Sequence, residues 1–87
     1  MNDILDYVKG WGHNIDCVYN DNDEGIDQIY WEFEDRYFCA IGPHSGNHYH
    51  YMLRINDKAS FDRWFNADLE IYAKDPQEII LYLIENI

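Results

Sequence analysis

The chain has 87 residues, 47% of them hydrophobic and 17% aromatic, and its 17 acidic and 6 basic side chains give a formal charge of −11. This length fits one compact domain, residues 1–87, and the apolar content excludes intrinsic disorder. The charge argues against direct binding to nucleic acid or to an anionic membrane, because phosphate contacts require Lys and Arg.

The first predicted element is a two-turn N-terminal helix. Asn2 is a suitable N-cap, and Gly10 ends the helix two residues after its last apolar position. The apolar residues fall on one helical face: Ile4, Leu5 and Val8. Trp11 follows the helix and is expected to fold back onto the core.

The middle of the chain predicts an antiparallel meander of about four strands. Residues 15–19 and 29–33 have strand-like patterns and flank a cluster of turn formers at 20–25. A tight turn at 35–36 leads into residues 37–41, which are apolar on both faces and therefore fit a central strand. After a loop at 42–47, residues 48–55 alternate again.

The last third of the chain predicts two helices and one ambiguous segment. Aromatic residues at helical spacing indicate a short helix near 58–66, and residues 69–73 fit either a helix or a short fifth edge strand, of which we favour the strand. Asp75, Pro76 and Glu78 form a capping-box-like start for a C-terminal helix packed on the sheet. The predicted fold class is therefore α+β.

The two cysteines, Cys17 and Cys39, both fall in predicted strands. We therefore expect free thiols, and together with the lack of a signal-peptide or membrane-length apolar pattern this predicts a cytoplasmic protein.

Three histidines, His44, His48 and His50, are the best candidates for metal ligands, because residues 48 and 50 of one strand project to the same face. A fourth ligand is not apparent nearby, so the prediction is that no metal or other cofactor is bound. The acidic loop at 20–25 does not fit an EF-hand, since Trp31 stands where a bidentate glutamate is needed.

No catalytic signature is present. The chain has no nucleophile elbow, phosphate-binding loop or dinucleotide fingerprint, and carboxylates on an exposed strand face, such as Glu32 and Glu34, lack the pocket that acid catalysis needs. The protein is predicted not to be an enzyme.

The strongest functional signal is the segment 16–35, which holds eight of the acids and no Lys or Arg. The rest of the chain, with nine acids and six bases, carries only −3. We expect a partner-binding face on this hairpin, formed by Asp21, Asp23, Glu24, Asp27, Tyr30, Glu32 and Glu34, with Tyr30 as an aromatic anchor. The alternative is a solvated acidic surface with no partner.

In size and charge the chain resembles the small acidic proteins of phages and mobile elements that block restriction or CRISPR nucleases, some of them as DNA mimics. This resemblance implies a non-catalytic inhibitor of a basic, nucleic-acid-binding enzyme, present as a monomer or homodimer. Three alternatives remain open: an immunity protein against a basic nuclease toxin, a histidine-based metal-binding module, and a structural protein that self-associates through exposed aromatic surface.

Overall fold

The computed structural model describes residues 1–19, 25–43, 50–57 and 68–87. Its elements are, in chain order, α1 (Asn2–Val8), β1 (His13–Tyr19), β2 (Ile26–Phe33), β3 (Arg36–Ile41), β4 (Tyr51–Asp57), β5 (Leu69–Ala73) and α2 (Pro76–Asn86). The strands form one antiparallel sheet in the order β1-β2-β3-β4-β5. The predicted α+β meander is confirmed, and the ambiguous segment is a fifth strand at the sheet edge.

The core lies between this sheet and the two helices. Ile29 and Trp31 of β2 point toward the helices, as their alternation predicts, and are at most 1% exposed. β3 is buried on both faces and is the central strand, as expected from its apolar run. Side chains from both helices complete this core: Ile4, Val8, Ile79 and Leu83.

Trp11 returns to the core, as predicted. Its ring meets Trp31, Phe33 and Phe38 edge-to-face, with centroids 6.0, 5.0 and 6.0 Å away. A side chain at Gly12 would not fit this turn, because a Cβ there would lie 2.8 Å from Val8 Cγ1 and 3.0 Å from Trp31 Cδ1. The tight exit from α1 is what brings the indole over the sheet.

The two helix starts differ in how well they were predicted. Asn2 is not the N-cap of α1: it is the first helical residue, and Met1 is the cap, with no side-chain cap bond. For α2 the prediction is confirmed, since Asp75 Oδ1 accepts a hydrogen bond from the Glu78 amide at 3.2 Å. The Glu78 carboxylate in turn accepts from the Lys74 amide at 2.6 Å, one residue before the cap.

Both described helices pack on one face of the sheet, and we call the opposite face the far face. Register places Asp16, Tyr30, Cys39, Arg54 and Glu70 in one row across the far face. Successive side chains of a strand point to opposite faces, so Glu32 shares the far face with Tyr30.

Several predictions concern residues outside the described ranges. These are the helix near 58–66, the loop acids Asp21, Asp23 and Glu24, and the histidines His44 and His48. In the described part of the chain, no helix combines the length and the hydropathy needed to cross a membrane.

Candidate partner-binding surface

Tyr30 lies on the predicted face of the hairpin but does not face water. Its side chain is only 8% exposed, and its hydroxyl donates a hydrogen bond to Gln28 Oε1. Neighbouring strands contribute Asp16 and Cys39 on either side of it in the same row. The outward-facing position predicted for Tyr30 does not expose its ring, because alternation indicates which face a ring occupies but not how well its neighbours cover it.

The middle of the far face is not uniformly acidic. Arg54 Nε lies 3.3 Å from Glu70 Oε1, so this row carries a positive charge between the acids of β1 and β5. The Arg54 side chain is 14% exposed and that of Glu70 38%. The acids that line a common cleft lie instead at one end of the sheet.

The described hairpin acids follow the strands instead of forming one cluster. Asp27 is half-buried beside a bulge at the start of β2, where its carbonyl oxygen accepts a hydrogen bond from the Gly42 amide at 2.7 Å. Glu34 follows the other end of β2, about 23 Å away at the usual rise per strand residue. Glu32 lies near that second end, and its Oε2 accepts from Asn14 Nδ2 at 2.7 Å.

Glu34 and Asp35 form the two-residue connection between β2 and β3, with Phe33 and Arg36 as the last register pair. Glu34 has a φ of 54°, in the left-handed region that costs a residue with a side chain about 1–2 kcal/mol. Both side chains are exposed. The turn thus exposes two carboxylates to water, and its backbone is strained at Glu34.

Two further acids lie at the same end of the sheet. Glu34, Asp35, Asp57 and Asp68 line a cleft of about 380 Å³, together with Arg36 and an apolar floor of Ile55, Leu69 and Tyr82. We call the four carboxylates the acidic end. Against Arg36 they leave a net charge of −3 among the described lining residues.

Backbone and side-chain hydrogen bonds fix the β4–β5 part of the acidic end. Asp68 Oδ2 accepts from the Asp57 amide at 2.7 Å, and the Asp68 amide donates to Asn56 Oδ1 at 3.3 Å. Asn56 is 1% exposed, so the anchor of this arrangement is buried. The bond from the Asp57 amide holds the Asp57 backbone beside Asp68, and both residues line the cleft.

Sequence reasoning placed Glu34 in the candidate site but missed its partners there. Asp57 and Asp68 stand on β4 and just before β5, and neither is in a motif. The signal that identifies Asp57 is register: Arg36, next to the hairpin turn, pairs with it across β3 and β4. Strand pairing, and not local composition, brings these acids together.

Neither His50 nor the two cysteines line the acidic end. His50 is exposed, and within the described ranges no group of three or more His, Cys, Asp or Glu side chains is placed to hold a metal ion. Cys17 and Cys39 are free thiols, as predicted, and Cys39 is buried. Burial raises the pKa of the Cys17 thiol, and the nearby Asp16 charge raises it further, so Cys17 is a weak nucleophile at neutral pH.

Comparison with known proteins gives no relative: no family model, no curated protein and no solved structure matches the chain.

Proposed function

We propose that the protein is a non-catalytic acidic inhibitor that binds a basic, nucleic-acid-handling protein. The observation that carries the proposal is the acidic end, where carboxylates from three separate parts of the chain surround one cleft. Of the predicted partner-binding residues that the structure describes, Glu34 lies in the acidic end and Glu32 precedes Glu34 by two residues.

The cleft has the chemistry to receive a Lys or Arg side chain. The methylene stem of such a side chain packs on apolar surface while its charged head stays in a polar environment. The apolar surface is supplied by Ile55, Leu69 and Tyr82, and the polar environment by the four carboxylates. A guanidinium or ammonium group that normally contacts a phosphate would find oxygen acceptors here in the same role.

The distribution of charge supports the same partner class. The segment 16–35 carries −8 of the formal −11, and its turn residues, Glu34 and Asp35, belong to the acidic end. A concentrated negative field accelerates association with a positive groove and makes the rate sensitive to salt. An inhibitor of this kind competes with nucleic acid because both require the same basic surface.

The test uses the full chain immobilised on a support and the heparin-binding protein fraction of a bacterial lysate. We expect capture of a basic nucleic-acid-binding protein and its release by duplex DNA. Capture should weaken as salt rises from about 0.05 to about 0.5 M, because exposed charges are screened over about 10 Å at 0.1 M. Mass spectrometry of the captured protein also separates a restriction or CRISPR nuclease from a nuclease toxin, the partner of an immunity protein.

A charge-matched pair of variants locates the contact. Glu34→Gln with Asp35→Asn removes two charges from the acidic end, whereas Asp6→Asn with Asp16→Asn removes two exposed charges from α1 and β1. The first double variant is expected to weaken capture about ten-fold or more, corresponding to about 1.4 kcal/mol, and the second to change it less than three-fold. Equal capture by both variants, or capture that is insensitive to salt and to DNA, would refute the proposal.

A further inference from the structure

The outer side of α2 carries apolar side chains that the core does not use. Ile79 and Leu83 face the sheet and are at most 1% exposed, whereas Leu81 is 54% and Ile84 58% exposed. These two residues are three positions apart and therefore neighbours on the helix surface. Ile87, one turn further on, is 36% exposed. We call Leu81, Ile84 and Ile87 the outer stripe.

The charged side chains of α2 beside the outer stripe are both acidic, and the nearest cation along the described chain, Lys74, precedes the helix and lines a cleft together with Glu78. Glu78 and Glu85 are one helical turn before and after Leu81 and are exposed, and residues 75–87 contain no Lys or Arg. On the α1 side, Asp3 Oδ2 accepts a hydrogen bond from Gln77 Nε2 at 3.1 Å, which fixes a third carboxylate beside the first turn of α2. The stripe is thus an apolar strip edged by acids.

This charge pattern decides between two occupants. A second copy packed antiparallel along α2 would place Glu78 of each chain near Glu85 of the other, and would bring together two molecules of formal charge −11. Like charges in contact are destabilising. A basic occupant instead pairs its cations with the same carboxylates while it covers the apolar strip.

We propose that the outer stripe binds a basic amphipathic helix of a partner protein. Apolar residues of that helix at i and i+3 or i+4 would pack against Leu81 and Ile84, and its flanking Lys or Arg side chains would face Glu78, Glu85 and Asp3. The 11 residues of α2 span about 16 Å, which matches about three turns of a partner helix. The site does not depend on the acidic end, whose four carboxylates lie in the β2–β3 turn, at the end of β4 and just before β5.

The probe is a fluorescently labelled 18-residue peptide of Leu and Lys at amphipathic helical spacing, and its control is a peptide of the same composition in scrambled order. Fluorescence anisotropy measures both affinities. We expect the full chain to bind the amphipathic peptide at least ten-fold more tightly than the scrambled one. Amide chemical shifts of the wild-type protein are expected to move along residues 77–87.

Leu81→Ser with Ile84→Ser is expected to abolish that ten-fold preference. The matched control, Val18→Ser with Tyr72→Ser, changes two other exposed side chains, which are 43% and 60% exposed on the far face, and should retain it. Glu34→Gln with Asp35→Asn should also retain it, so failure of the inhibitor proposal and failure of this one give different results.

Three results would overturn the inference. The first is equal binding of the two peptides, and the second is an unchanged preference in the Leu81 and Ile84 variant. The third is a dimer of the free protein in light scattering that this variant dissociates, because a second copy would then be the occupant. Shift mapping on the wild type keeps the inference testable if the variant does not fold.

Discussion

At the residue scale, Glu34 combines an exposed carboxylate with a backbone conformation that is unfavourable for a residue with a side chain. Only Asn14 and Glu34 among the described non-glycine residues have a positive φ. Asparagine tolerates the left-handed region, and Asn14 also bonds to Glu32. Glutamate has no such advantage. An outlier of this kind is a reason to suspect a functional role, and in our proposal that role is partner contact.

Glu34→Gly is therefore expected to raise the free energy of unfolding by about 0.5–1 kcal/mol, because glycine accepts a φ of 54° without steric cost. Urea denaturation followed by circular dichroism measures the change. The control is Asp35→Gly, whose native φ is not positive; it should destabilise by a similar amount, since glycine gains entropy in the unfolded chain without relieving strain. A loss of stability in Glu34→Gly as large as that in Asp35→Gly would contradict the strain argument.

Sequence patterns predicted individual side chains well where one face is covered by the core. Ile29, Trp31 and Trp11 all lie where alternation and composition placed them. Tyr30 is the exception, because its burial depends on the row of neighbours that register sets beside it. A period-two pattern carries no information about those cross-strand neighbours.

At the element scale, α2 is the segment most completely specified by local signals. Asp75 has extended φ and ψ of −146° and 163°, and Pro76 is at the first helical position. Its Ile-rich sequence has only moderate helix propensity, so the cap and the burial of Ile79 and Leu83 have to stabilise it. By contrast, α1 has no side-chain cap bond, so no capping residue marks its first residue in the sequence.

Asp75→Ala is expected to lower the free energy of unfolding by about 1 kcal/mol, because the Glu78 amide loses its side-chain acceptor and keeps only the 3.3 Å bond to the Asp75 carbonyl. For a domain of this size the thermal midpoint should fall by about 4–8 °C. Asp75→Asn keeps the acceptor oxygen, so its midpoint should stay much closer to that of the wild type. Equal losses in the two variants would show that the charge of Asp75, and not its hydrogen bond, stabilises the helix.

The sheet illustrates which part of a site can be derived from local patterns. Turn formers, alternation and an apolar central run were sufficient for the meander. They placed the β2–β3 turn at 35–36 and Glu34 on a strand face, whereas Glu34 and Asp35 form the turn. These patterns were insufficient for the acidic end, because Asp57 and Asp68 reach it through the pairing of β3, β4 and β5. Residues distant in sequence meet through long-range pairing, which no local window contains.

At the scale of the whole molecule, the formal charge of −11 on 87 residues is a cost that the fold has to offset. Like charges held together in a compact chain repel one another more than in an expanded one. The described structure contains an ion pair between Arg54 and Glu70, and the acidic end brings four carboxylates to one cleft against Arg36. Folding therefore concentrates negative charge, which is useful to a binding protein and unfavourable to an isolated one.

We consequently expect the thermal midpoint of the protein to rise as ionic strength increases from about 10 mM to about 300 mM, because the Debye length shortens from about 30 Å to well below 10 Å and screening weakens the repulsion. Differential scanning calorimetry at pH 7 measures the midpoint. Sodium chloride and choline chloride at equal ionic strength should act alike, since the effect is one of screening and not of a bound cation. Glu34→Gln with Asp35→Asn should reduce the salt dependence, because it removes two charges from the acidic end. A midpoint that stays constant or falls with salt would mean that favourable ion pairs outweigh repulsion. The acidic end would then not destabilise the folded protein through charge repulsion.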